Sequence, residues 1–92
     1  MIRVIWSDGA LRDLAQHIRY IADFNPRAAA LFAHELRAAA NNLRTFPHRG
    51  RPGQHGNIRE LVTVWPYVMV YHVAGQTVEI LRIWHGAQER AQ

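Results

Sequence analysis

Apolar positions run together at the start of the chain, spread to a wider spacing through the first half, and close up again towards the end. Ile2 to Trp6 is almost continuously apolar and predicts a short strand. Beyond it Leu11, Leu14, Ala15, Ile18, Ile21 and Ala22 recur at the interval that lines one side of a helix, predicted from Asp8 to about Asp23. Ser7 stands where an N-cap hydroxyl accepts from a first-turn amide, and Trp6 and Leu11 are spaced as a hydrophobic staple. Asp8 and Asp13 lie near the positive end of the helix dipole. Phe24-Asn25-Pro26 ends this helix and starts another, with Asn25 as cap and Pro26 at the first helical position, where its missing N–H is no loss. The second helix reaches about Thr45, and Phe32, Leu36, Ala39, Leu43 and Phe46 make its apolar stripe. A joint of about three residues predicts an antiparallel helical hairpin. Pro47 stops the second helix.

The second half reads as loop and strand. Pro47 to Asn57 carries three Gly and two Pro in eleven residues and predicts irregular structure. Ile58 to Trp65 predicts a strand that Pro66 breaks. Tyr67 to His85 is rich in β-branched and aromatic residues on both sides of Gly75, which predicts a hairpin. A two-residue turn at Gly75-Gln76 needs a positive φ at Gly75. The register then pairs Val73 with Val78, His72 with Glu79, Tyr71 with Ile80, Val70 with Leu81, Met69 with Arg82 and Val68 with Ile83. One face collects Val68, Val70, Leu81 and Ile83 and reads as the core face. The other collects Tyr67, Met69, Tyr71, Ile80, Arg82 and Trp84 and reads as a working surface built round one enclosed cation. A slip of one residue would exchange the two. Gly86 to Gln92 is polar and predicts a frayed tail. The order β-α-α-β-β-β predicts a single α+β domain over residues 1–92. An N-terminal helical hairpin packs on one face of a small, mostly antiparallel four-stranded sheet, with the first strand beside one of the hairpin strands.

Composition changes this picture in two ways. The formal charge is +4 and the sequence pI about 10.7, and all eleven basic side chains are Arg. Every cation is thus a planar fork suited to carboxylate or phosphate, which favours a nucleic acid or an acidic protein segment as partner. There is no Cys, hence no disulfide framework and no thiolate metal site. No apolar run approaches the roughly 20 residues of a membrane-spanning helix, so a cytoplasmic protein without membrane contact is expected.

Candidate chemistry is sparse. No glycine-rich phosphate loop, zinc-protease histidine pair or nucleophile elbow occurs. The six histidines lack metal-ligand spacing, so no metal and no cofactor is expected, and His17 and His34 read as solvated helix residues. His85, ending the last strand beside Arg82 and Trp84, is either a polar cap or a general acid or base. Arg49, Arg51, Arg59 and Arg82 either converge on one surface or keep the protein soluble. Tyr67, Tyr71 and Trp84 are either core or surfaces on which bases stack.

A longer pattern is carried by Trp6-Ser7, Ala10-Leu11, Asp13-Leu14, Ile18, Tyr20-Ile21-Ala22 and Asn25-Pro26-x-Ala28-Ala29. It continues through Leu43-x-x-Phe46-Pro47-x-x-Gly50-Arg51-x-Gly53, Arg59-Glu60-Leu61-Val62, Pro66-Tyr67-Val68-x-Val70-Tyr71 and Val78-Glu79-Ile80-Leu81-Arg82-Ile83-x-His85. In this order and over nearly the whole chain, it resembles the RelE/ParE toxins of type II toxin–antitoxin systems. The resemblance implies the fold just derived and two activities. ParE-like members inhibit DNA gyrase and arrest growth without chemistry of their own. RelE-like members are ribosome-dependent endoribonucleases that cut mRNA. Such nucleases often carry Arg where this chain has Val68, and their C-terminal basic cluster is reduced here to His85-Gly86-Ala87-Gln88, so the ParE-like branch is favoured. Under the endoribonuclease alternative Arg59, Arg82 and His85 would be the catalytic set; a third reading is a degenerate, non-toxic member. Together with the reading of the residues above, Arg49, Arg51, Arg59, Tyr67, Arg82, Trp84 and His85 are the candidate contacts to the target or to nucleic acid. The resemblance also implies a small, acidic cognate antitoxin, forming a toxin–antitoxin hetero-oligomer.

Overall fold

The computed structural model describes residues 1–86, so the predicted frayed tail lies, but for Gly86, outside the described residues. The elements are β1 (Arg3–Trp6), α1 (Asp8–Phe24), α2 (Pro26–Asn42), β2 (Arg51–Pro52), β3 (Ile58–Val62), β4 (Tyr67–Ala74) and β5 (Thr77–His85). They form an α+β fold with a sheet in the order β1-β5-β4-β3-β2. β1 pairs parallel with β5, and the remaining pairs are antiparallel. The strand that begins the chain thus docks on the strand that ends the hairpin, as expected.

The caps behave as the sequence implies. Ser7 Oγ accepts from the Ala10 amide at 3.0 Å, and Asn25 Oδ1 accepts from Ala28 N at 3.1 Å. The joint between the helices is the single residue Asn25, shorter than expected. Ala10 and Leu14 of α1 and Phe32, Leu36 and Ala40 of α2 are buried in one cluster with the sheet, Leu43 joins them just past the helix, and Ala29 of α2 is buried as well. α2 ends at Asn42 rather than Thr45, because residues 43–45 tighten into turns whose amides reach back three residues. Such tightening is a common way for a helix end to satisfy its last carbonyls. Phe46 leaves the predicted stripe there and is 58% exposed.

Three further expectations need correction. The sheet has five strands, since Arg51–Pro52 forms a short edge strand against Glu60 and Arg59. Pro52 is tolerated because an edge strand need not donate outwards. β3 ends at Val62, before the tight turn in which the Tyr67 amide donates to Val64 O at 2.8 Å. The hairpin register holds from Ala74↔Thr77 to Tyr71↔Ile80 and then shifts. Leu81 is the extra residue of a bulge, after which Val70 pairs with Arg82, Met69 with Ile83, Val68 with Trp84 and Tyr67 with His85. The turn itself is as expected, with Gly75 at φ 57°.

The bulge and the pleat together decide which face is core. Tyr67, Met69, Tyr71, Val78, Ile80 and Ile83 pack with the helices. The face predicted as a working surface is therefore the core face. Val68 and Val70 are also buried, but on the opposite side of the sheet, beside Trp84 and Arg82. Leu81, predicted as core, is half-buried in the bulge. No helix of the described residues is long and apolar enough to cross a membrane.

Candidate functional site

The basic loop is built round a buried phenol. Tyr71 is fully buried, and its hydroxyl donates to Pro47 O at 2.9 Å and accepts from Gly50 N at 2.8 Å. Arg59, cross-strand partner of Tyr71, points to the same side of the sheet. Its Nη1 donates to Gly50 O at 2.7 Å and His48 O at 3.3 Å. Two side chains thus pin the backbone of residues 47–50, and the loop presents His48 and Arg49 outwards, both exposed. Arg49 Nη1 donates to Asn42 Oδ1 at 2.7 Å, tying the loop to the end of α2.

Burial raises the pKa of Tyr71 above that of a free tyrosine, against the smaller lowering effects of the Gly50 amide and the Arg59 and Arg49 charges. An unfolded tyrosine ionises near pH 10, so above that pH the unfolded chain has given up a proton that the folded chain still holds. The stabilisation is present below about pH 10 and is lost as pH rises through the higher folded value. Denaturant midpoints measured at about pH 9 and about pH 11 should fall with pH, and fall less in Tyr71→Phe.

Arg51 and Arg82 are both in ion pairs. Arg51 bonds Glu60 at 3.2 Å across β2 and β3. Arg82, read from the sequence as enclosed, has a side chain 47% exposed; its Nε donates to Asp13 Oδ2 at 2.7 Å and its guanidinium lies 5.8 Å from the Trp84 ring centre. Tyr67 is buried between Phe32, His17 and His85, with ring centres 4.6, 4.9 and 5.2 Å away. His85 faces this aromatic group, and its Nδ1 is buried without a hydrogen-bond partner among the described residues.

Where β1 stops at Trp6, the outer edge of β5 needs other partners for its main-chain groups, and α1 supplies them. Ser7 Oγ donates to Leu81 O at 3.1 Å, Asp13 Oδ2 accepts from Ile83 N at 2.9 Å, and His17 Nε2 donates to Ile83 O at 2.7 Å. His17 is therefore not a solvated helix residue but part of a polar row that stands in for a missing strand. Asp13→Ala should strand the Ile83 amide and lower stability by about 1–3 kcal/mol in denaturant melts. A wild-type midpoint would show that solvent already serves that edge.

The seven predicted contact residues fall into two groups. Arg49 and Arg59 gather round Tyr71, and Arg51 lies close by in β2 but pairs with Glu60. Tyr67, Trp84 and His85 lie at the open end of the hairpin, with Arg82 two residues before Trp84 on β5. Arg59 and His85 share the helix-facing side but are matched to Tyr71 and Tyr67, four residues apart on β4. Arg82 is matched to Val70 and lies on the opposite side. The three residues of the endoribonuclease alternative are thus not brought together. Gly50, Tyr71, Asp13 and His17, absent from the predicted set, hold both ends in place.

The chain's relatives fit this architecture. The model of the ParE toxin of type II toxin–antitoxin systems, parDE, matches residues 4–90. The chain belongs to the ParE toxin family. Toxin RelE2 of Caulobacter vibrioides is 44% identical over 88 residues, covering 96% of this chain and 99% of that protein. Toxin RelE1 of the same organism is 36% identical over 90 residues, covering 95% and 96%. Among solved structures, the chromosomal ParDE toxin–antitoxin system from P. aeruginosa contains a chain that superposes with a TM-score of 0.78 at 25% identity, over 90% of this chain and 94% of that one. The ParE fold and the reading as a type II toxin follow from these likenesses, and the five-stranded sheet is a detail the sequence pattern did not carry.

Proposed function

We propose that this ParE-family chain is a non-enzymatic toxin that inhibits DNA gyrase and arrests growth in the cytoplasm until a small acidic antitoxin covers it. The observation that carries this reading is the dispersal of Arg59, Arg82 and His85. Strand cleavage through a ribose hydroxyl needs a base, an acid and a phosphate-stabilising cation within reach of one phosphodiester. Here Arg59 stands at the loop carbonyls, Arg82 pairs with Asp13 on the opposite side of the sheet, and His85 lies against the Tyr67 ring, four residues along β4 from the partner of Arg59. Val68, where nucleases often carry Arg, is buried between Val62 and Trp84. That arrangement suits binding better than turnover. A net charge of +4 and exposed apolar residues such as Phe24 and Leu31 suit an antitoxin segment that is both acidic and apolar.

Inducing the chain without its antitoxin is the test in cells. The expected result is growth arrest with DNA damage signalling while pulse-labelled translation continues. Immediate translation arrest with newly cut message ends would favour the endoribonuclease alternative, and normal growth would favour a degenerate member.

A further inference from the structure

Two clefts meet at His48. One, of about 670 Å³, lies beside the exposed ring of Phe46 and is lined also by Thr45, Pro47 and Arg49. The other, of about 300 Å³, runs past Arg59 and Asn57 to Gly75 at the hairpin tip. His48 lines both, and a path from one cleft to the other across the basic loop passes over it. None of the described side chains lining either is a carboxylate, whereas the neighbouring cleft between α2 and β3 contains Glu35.

The chemistry along this path is graded. At one end stands a flat apolar ring with more than half its surface free. In the middle is an imidazole. At the other end is a guanidinium whose Nη1 is fixed by Gly50 O and His48 O, while its remaining nitrogens bond no other described residue. A guanidinium held on one side and open on the other is suited to accept a phosphate through its free N–H groups. An exposed ring beside positive side chains, here Arg49 and Arg59, is the pattern by which proteins hold single strands, with bases on the aromatic face and phosphates along the positive groove. The loop is also set in advance, because the Tyr71 hydroxyl and Arg59 fix its backbone with no ligand present.

We infer that this paired cleft binds single-stranded DNA, with a base over Phe46, the following phosphate at His48 and Arg59, and Arg49 flanking the entrance. The inference rests on the gyrase reading and deepens it. A cut made at staggered positions in the two strands leaves unpaired bases, and the toxin would hold one such strand. Arg59 and Val73, which line the second cleft, lie on the helix-facing side of the sheet, opposite Val68 and Arg82.

The test is fluorescence anisotropy of a labelled thymidine strand of about ten nucleotides, within the usual range for such clefts, titrated with the full chain. Binding should weaken with added salt, with the shallow slope expected of about two phosphate contacts. Phe46→Ala and His48→Gln, both at exposed positions outside the core, should each reduce affinity by about tenfold or more. Arg59→Gln should do the same, but it also frees the loop, so the two exposed positions carry the test. An RNA strand of the same base sequence is the second arm. Binding to RNA but not DNA, binding to neither, or DNA binding untouched by both exposed substitutions would overturn the assignment. Because gyrase is absent from this assay, a missing oligonucleotide signal with gyrase still inhibited removes the cleft alone. Strand binding that responds to both substitutions, with gyrase unaffected, keeps the cleft and removes the target.

Discussion

Leu36→Ala is expected to lower the unfolding free energy by about 2–5 kcal/mol. Leu36 is wholly buried within the cluster that joins α2 to Tyr71, Ile80 and Ile83. Truncation removes apolar burial and leaves a void that a rigid helix cannot collapse to fill. A domain of this length has only about 5–15 kcal/mol in total, so the change takes a large share of it. Each kcal/mol corresponds to about 4–8 °C in Tm for a chain of this size, and a thermal melt followed by circular dichroism reads it directly. Leu81→Ala is the contrast. Leu81 is half-buried in the bulge of β5, and its truncation should cost about 1 kcal/mol or less. Equal losses from the two would mean that the bulge does not exist and that Leu81 faces the helices.

Gly50→Ala is expected to have the second largest effect. A Cβ at this position would stand 2.8 Å from the Tyr71 hydroxyl, 2.9 Å from Glu60 O and 3.0 Å from Tyr71 Cε1. None of these neighbours is the loose end of a flexible chain: two belong to a buried ring and one to the backbone of β3. Overpacking of this kind costs about 1–3 kcal/mol. If Tyr71 is pushed aside, the buried Gly50 amide also loses its acceptor, adding about 1–3 kcal/mol. The pair should be non-additive. Tyr71→Phe removes the hydroxyl that the new methyl would strike, so the double substitution should cost less than the sum of the single ones. Strict additivity in denaturant melts would show that Gly50 and Tyr71 do not meet.

These two positions also show what the sequence made legible. The helical hairpin could be read because its signals are local: Ser7 and Asn25 cap by their own side chains, Pro26 fits the first turn, and Leu14, Phe32 and Leu36 lie on helical stripes. The hairpin turn could be read because only a glycine adopts the φ of Gly75 without strain. The face of the hairpin could not. Both alternations of β4 carry apolar residues, and a single extra residue at Leu81 moved Ile83 to the core side and Arg82 away from it. Asp13 and His17 escaped notice for another reason. They are spaced four apart on α1, like any solvated polar pair, and their role appears only when β1 stops at Trp6 and leaves the β5 edge to be served. The basic residues were readable as a set but not as a place. Arg51 and Arg82 are in ion pairs with Glu60 and Asp13, one cross-strand and one far apart in sequence.

The functional consequence is a division of labour within one small domain. Core aromatics and aliphatics of β4 and β5 hold the helices, and α1 finishes the sheet edge with Ser7, Asp13 and His17. What the core and the sheet edge leave exposed is the pinned basic loop with its ring at Phe46 and apolar side chains along the helices. Rigid presentation of a few cations and one aromatic ring favours tight binding to a large target, since little order is lost on contact.

The most direct measurement is the state of supercoiled plasmid incubated with purified gyrase, ATP and increasing amounts of the chain. The account predicts loss of supercoiling activity together with accumulation of gyrase-linked broken plasmid, reversed when the antitoxin is added. Plasmid supercoiled at the normal rate with a large molar excess of the chain present would contradict it.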